Sequence, residues 1–149
     1  MPELLKGNMS ELLAMSGQTA HAIGIDAGTQ DTLTDANRSH LLELFQEKAA
    51  QWNTTLLITG KEDMVVSADK CTFIMRGTPA MSQITGTGCM LGMILCYLSG
   101  SYRSVHCCRI CCYRIWHCRG KSRKNSSGPG SFQVELFDQF YNLTQQDIF

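Results

Sequence analysis

The chain has 149 residues, with 13 Lys and Arg against 13 Asp and Glu and a net charge of zero. That length fits one domain rather than two full ones, a hydrophobic fraction of 44% excludes a disordered chain, and the totals lack the basic excess of a nucleic-acid surface. No apolar run is long enough to span a bilayer and no signal-peptide core follows Met1, so a cytoplasmic protein with no membrane partner is expected.

Pro2 to Lys6 reads as the end of a strand. Asn8 and Ser10 are helix N-cap residues and Glu11 falls in a first helical turn, with Leu12, Leu13 and Met15 forming a short apolar face before Gly17. Gln18 to Thr34, rich in Gly, Thr and Asp, reads as loop. A helix capped by Thr34 or Asp35 follows, with Leu41, Leu42, Leu44, Phe45, Lys48, Ala49 and Trp52 at helical spacing and an end near Asn53. Thr54 to Thr59 is an apolar, β-branched run bounded by Gly60 and reads as a buried strand. Met64 to Ser67 and Cys71 to Met75 form a hairpin pair around Ala68-Asp69-Lys70. A loop from Arg76 to Gly88 leads to an apolar helix, Met90 to Leu98. The last helix spans Gln133 to Leu143, with Ser131 as its cap and Val134, Leu136, Phe137, Phe140 and Tyr141 facing inward. Gly128-Pro129-Gly130 is expected to lie outside that helix. The whole is an α/β pattern without an internal repeat.

Cysteine and charge are unevenly spread. Of the eight cysteines, Cys107, Cys108, Cys111, Cys112 and Cys118 crowd into one stretch, together with Arg103, Arg109, Arg114, Arg119, Lys121, Arg123 and Lys124. The neutral total is therefore a cancellation between two unlike pieces. Cys108 and Cys111 have Cys-x-x-Cys spacing, with Cys112, His117 and Cys118 nearby, but zinc wants two separated ligand pairs and the second pair here is poor. The Arg residues around Tyr113 and Trp116 form only a short basic patch. Gly120-Lys121-Ser122 resembles the end of a P-loop, yet Ile115 stands where the leading glycine belongs. A disulfide framework would need a secretory context that is not evident. His21 and His40 read as surface or loop histidines, and the eight Met as core or loop filler.

Two motifs carry chemistry. Gly86-Thr87-Gly88-Cys89 is a small-residue turn immediately before an apolar helix. Glycine lets the backbone come close to a ligand, and the free N–H groups of the first helical turn favour an anion there. Cys89 would sit in that positive field, which favours a thiolate. The alternative is a tight turn that only packs a helix on a sheet. Lys6-Gly7-Asn8-Met9-Ser10-Glu11 places a cation, an amide and a carboxylate around another helix start. Asn8 and Glu11 lie three apart and can face one point. A bound Mg²⁺ is one reason for a carboxylate there; a capping box, with Glu11 reaching back to the Asn8 N–H, is the other.

The ordered set of Lys-Gly-Asn-x-x-Glu, Ile58-Thr59-Gly60 closing a strand, Thr-Gly-Thr-Gly-Cys opening an apolar helix, and Gly128-Pro129-Gly130-Ser131-Phe132 before a last helix resembles the hydroxyethylthiazole kinases of the ribokinase-like superfamily. The resemblance runs from about Leu4 to Ile148. It implies a ribokinase-like three-layer α/β sandwich, of which this chain is the C-terminal portion. It also implies ATP-dependent phosphorylation of the hydroxyl of 4-methyl-5-(2-hydroxyethyl)thiazole, with Mg²⁺, in thiamine biosynthesis or salvage. Lys6 matches a basic ATP-phosphate ligand and Thr59 an ATP contact. Asn8 and Glu11 match the element that governs Mg²⁺ and phosphate. Gly86 matches a substrate-contacting glycine, and Gly86, Thr87, Gly88 and Cys89 an anion hole. Cys89 stands where most ribokinase-like enzymes have an aspartate base, which favours the thiazole enzyme over a hydroxymethylpyrimidine kinase. The family implies a homotrimer. Its members are longer, so this polypeptide alone is expected to be a poor catalyst, and a strand at Lys6 to have lost its sheet neighbours. The rival reading is a non-enzymatic zinc- or nucleic-acid-binding protein using the Cys/Arg stretch.

Residues 101–125 depart from the family, which has an apolar helix there. Reading Cys as TGY and moving one nucleotide forward turns Cys-Cys into Ala or Val, His-Cys into Ile or Thr, and Trp116-His117 into an obligatory Gly. The shifted text is compatible with a long apolar helix ending in charge, as the architecture requires. Two compensating frameshifts bracketing the stretch are therefore expected in the coding nucleotides; a stop codon in the shifted frame ends the idea.

Overall fold

Strand β1 (Leu4–Asn8) runs directly into helix α1 (Met9–Met15). In the computed structural model the described residues are 2–21, 31–74, 81, 83–99, 122 and 124–142. β1 extends two residues past its expected end at Lys6, because its parallel partner β2 (Thr55–Thr59) carries the ladder from Leu4↔Thr55 to Asn8↔Thr59. Between them lies helix α2 (Arg38–Trp52), whose left-handed Asn53 (φ 49°) ends it as expected. Its N-cap is Asn37 rather than Thr34 or Asp35. Thr34 instead pairs with Asn37: its N–H donates to Asn37 Oδ1 at 2.7 Å. This closes a turn that delays the helix by one half-turn.

The expected hairpin is present as β3 (Asp63–Val66) and β4 (Cys71–Ile74), antiparallel to each other and to β2, giving the order β1-β2-β3-β4. Register sets up straight rows across the sheet. Leu5, Leu56, Val66 and Cys71 form one row, and Gly7, Ile58, Met64 and Phe73 the next. On this face Met9, Leu12 and Leu13 of α1 and Leu41, Phe45 and Ala49 of α2 close the core. Each fully buried large side chain contributes about 1.5–3 kcal/mol. Lys6, Leu57, Val65 and Thr72 make the opposite row, in which Leu57 and Val65 are also buried. Strands buried on both faces belong to a layered α/β fold. Arg38 pins the start of α2 to the sheet: it makes a two-pronged pair with Glu62 at 2.7 and 3.3 Å, and its guanidinium lies 4.5 Å from the Phe73 ring centroid.

These elements make the first of two compact units, Met1–Met75; the second is Arg76–Phe149. The second holds α3 (Thr87–Ser99) and α4 (Pro129–Tyr141), with Phe132 and Leu136 buried against Met81, Ile84 and Phe140. α4 corrects three expectations: its start, its cap and its inward face. It starts at Pro129, since proline at the first helical position loses no hydrogen bond, and Gly128 is its N-cap. Ser131 lies inside, at the third helical position, with its Oγ accepting from the Gly128 N–H at 3.1 Å. Its inward face is Phe132, Leu136 and Phe140, whereas Val134 (62%), Phe137 (50%) and Tyr141 (90%) are exposed on the other side. The Cys/Arg stretch and its frameshift reading fall on residues 101–125, which, apart from 122, 124 and 125, lie outside the described residues.

Candidate functional site

The first unit gathers four of the singled-out residues. Lys6, Asn8 and Thr59 sit towards the C-terminal ends of the parallel strands, where α/β sheets receive ligands, and Glu11 follows in the first turn of α1. Asn8 and Thr59 are direct register partners, and Thr59 Oγ1 donates to the Gly7 carbonyl at 3.4 Å. Asn8 and Glu11 form a complete capping box: Asn8 N–H donates to Glu11 Oε2 at 2.7 Å, and Glu11 N–H to Asn8 Oδ1 at 2.8 Å. Of the two alternatives raised by the sequence, the capping box is the one that forms. The box fixes the two side chains, while Glu11 stays exposed. Mg²⁺ asks for one or two carboxylates, the rest of its shell coming from phosphate and water, so this hard-oxygen pair fits it. Gly7 is required at the box by close approach, since a Cβ there would lie 2.9 Å from Leu12 Cδ2.

The second unit holds the other motif. The helix begins at Thr87 rather than Met90. Gly86, at φ +93°, takes the position before the first turn, and its carbonyl accepts the Met90 N–H at 3.0 Å. An L side chain rarely adopts that φ, so glycine is needed there. The N–H groups of Thr87, Gly88 and Cys89 are then those that an α-helix cannot pair internally. Thr87 is half-buried, and Gly88 and Cys89 are exposed. Cys71, Cys89 and Cys96 are not joined in disulfides. Among the described residues no group of three His, Cys, Asp or Glu could hold a metal ion, and the cysteines of the zinc reading lie outside them.

Asp31 is a residue that sequence reasoning missed. It is 5% exposed. It accepts hydrogen bonds from Ser10 Oγ and, at 2.7 Å, from the His21 N–H; His21 Nδ1 lies 3.0 Å from its other oxygen. His21 is indeed an exposed loop histidine, but it is tied. The Ser10 hydroxyl first, then the His21 N–H, hold the Asp31 carboxyl below the usual carboxylate range against the opposing effect of burial, and the His21 ring adds to this. A lowered value means that the folded chain resists protonation of Asp31 more than the unfolded chain does. The resulting stability is complete above about pH 4 and is lost as pH falls through the lowered value. Melting temperatures recorded from pH 6 to pH 2 should fall more steeply for the wild type than for Asp31→Asn; parallel curves would contradict the assignment.

A strand-to-helix turn carrying a boxed Asn and Glu in the first unit, and a helix opened by Gly-Thr-Gly-Cys in the second, fit the ribokinase-like class of α/β proteins. A solved structure of hydroxyethylthiazole kinase from Pyrococcus horikoshii OT3 is similar to it with a TM-score of 0.74 at 23% identity, over 98% of this chain and 51% of that one. The hydroxyethylthiazole kinase family matches residues 1–146, and the chain belongs to that family. Hydroxyethylthiazole kinase 2 of Clostridium botulinum strain Hall is 32% identical over 154 residues, covering 99% of this chain and 55% of that protein. Hydroxyethylthiazole kinase of Methanosarcina mazei is 30% identical over 153 residues, covering 98% and 54%. The chain therefore spans about half the length of the curated relatives it matches. No helix among the described residues is long and apolar enough to cross a membrane.

Proposed function

We propose that this chain carries the C-terminal half of a hydroxyethylthiazole kinase, which moves the γ-phosphoryl group of ATP to the hydroxyl of 4-methyl-5-(2-hydroxyethyl)thiazole. The observation that carries the reading is the match to named hydroxyethylthiazole kinases along 99% of the chain, a span that includes both motifs. Phosphoryl transfer asks a protein mainly for alignment and charge neutralisation. Lys6 and Thr59 are assigned to ATP, Lys6 as a cation for its phosphates. Glu11, held by Asn8, would hold Mg²⁺, which when bound neutralises phosphate charge. In the second unit Gly86 contacts the substrate. The N–H groups of Thr87, Gly88 and Cys89 donate to developing negative charge, and Cys89 accepts the hydroxyl proton. Assembly as a homotrimer belongs to the same reading.

The test is ATP-dependent formation of the thiazole phosphate, followed by ³¹P NMR. The chain alone is expected to turn over poorly. Co-expressed with the part of the Clostridium botulinum enzyme that it does not span, it is expected to form product, with turnover reduced at least about tenfold by Glu11→Ala or Cys89→Ala. Absence of product from the co-expressed pair would reject the reading. Robust turnover by the chain alone, lost in Glu11→Ala, would reject the assignment of a half-enzyme.

A further inference from the structure

The Asn8–Glu11 box needs an orientation as well as an internal geometry. Apolar packing of Met9, Leu12 and Leu13 on the sheet holds α1 down and limits its roll, but such contact is non-directional and does not by itself aim a polar group. α1 has only seven residues, too few to be stable by its own hydrogen bonds. Directional contacts are therefore suited to set its final rotation. Ser10 lies between the two box residues, is 1% exposed, and donates its hydroxyl to Asp31. Asp31 is itself nine-tenths buried and is held from a third segment by the N–H and ring of His21. Burying a carboxylate is costly, and replacing such a buried polar cluster as a whole by apolar residues is often neutral for stability. The arrangement makes sense where direction matters more than stability.

We propose that Asp31 is a positioning residue that acts through Ser10 to fix the rotation of α1 and hence the direction in which the Asn8–Glu11 box faces. That the box receives Mg²⁺ and phosphate rests on the function proposed above; the coupling of Asp31 to the box does not.

Residue-resolved amide exchange on the full chain tests the coupling. Ser10→Ala and Asp31→Ala are each expected to lower protection of the Asn8 and Glu11 amides about tenfold, with no further loss in the double variant. The amides of Leu56–Ile58 and Met64–Val66 should be unchanged. Unchanged protection in the box, or an equal loss across the strands, would overturn the proposal, the latter making Asp31 a general stabilising group. If Asp31→Ala does not fold, Ser10→Ala decides alone by the same criterion. MgATP affinity separates the two readings. A box loosened in the variants with no MgATP binding even by the wild type co-expressed with the part of the Clostridium botulinum enzyme that it does not span would leave the coupling standing and reject the ligand assignment. MgATP binding by the wild type with a box unaltered in the variants would reject the coupling alone.

Discussion

Gly7→Val is expected to cost about 2–4 kcal/mol of stability and to open the Asn8–Glu11 box at the same time. A Cβ at position 7 would lie 2.9 Å from Leu12 Cδ2, 3.3 Å from Leu12 Cγ and 3.2 Å from Glu11 Oε2. Leu12 is 1% exposed and packed into the core, so it cannot swing aside without leaving a hole elsewhere. Valine adds two methyl groups beyond that Cβ, and overpacking of this kind costs about 1–3 kcal/mol. The remainder, about 1 kcal/mol, comes from the cap, because Glu11 Oε2 is the atom that accepts the Asn8 N–H. Urea unfolding measures the first effect and amide exchange at Asn8 and Glu11 the second. Gly7→Ala should show a smaller loss of both. A valine variant as stable as the wild type, with its box intact, would show that the strand and helix are not this close.

Phe45→Ala is expected to cost about 3–5 kcal/mol. Phe45 is 0% exposed and stands with Leu41 and Ala49 on the buried face of α2. Opposite it are the sheet residues Leu56, Ile58, Met64 and Val66. Truncation leaves a cavity that surrounding side chains can only partly fill. A domain holds only about 5–15 kcal/mol in total, so the variant should show a strongly lowered urea midpoint. Phe137→Ala on α4 is the control. Phe137 is half-exposed, and its loss should cost no more than about 0.5 kcal/mol. A loss at Phe137 as large as at Phe45 would mean that the outer stripe of α4 is covered in solution.

The capping box was legible because it is local: Asn, two residues, Glu is a spacing that a first helical turn brings together whatever surrounds it. The β3–β4 hairpin was legible for the same reason, its turn residues lying between two short apolar runs. Asp31 was not. It sits in a polar stretch beside other acidic residues, and nothing adjacent to it in the chain distinguishes it. Its burial depends on Ser10, 21 residues away, and on His21, 10 residues away. α4 failed differently. Apolar residues mark two of its sides, Phe132, Leu136 and Phe140 on one and Val134, Phe137 and Tyr141 on the other. Periodicity alone cannot choose between them.

Family membership and the order of elements along most of the chain were determined by the sequence alone, because caps, turns and the Gly86–Cys89 and Lys6–Glu11 motifs are written in neighbouring residues. Tertiary structure decided the rest. The parallel register set Asn8 beside Thr59, close contact with Leu12 made Gly7 obligatory, and folding buried one carboxylate out of a polar loop. Each of these depends on residues distant in the chain occupying the same few cubic ångströms. No local propensity encodes that coincidence; only the packed core enforces it.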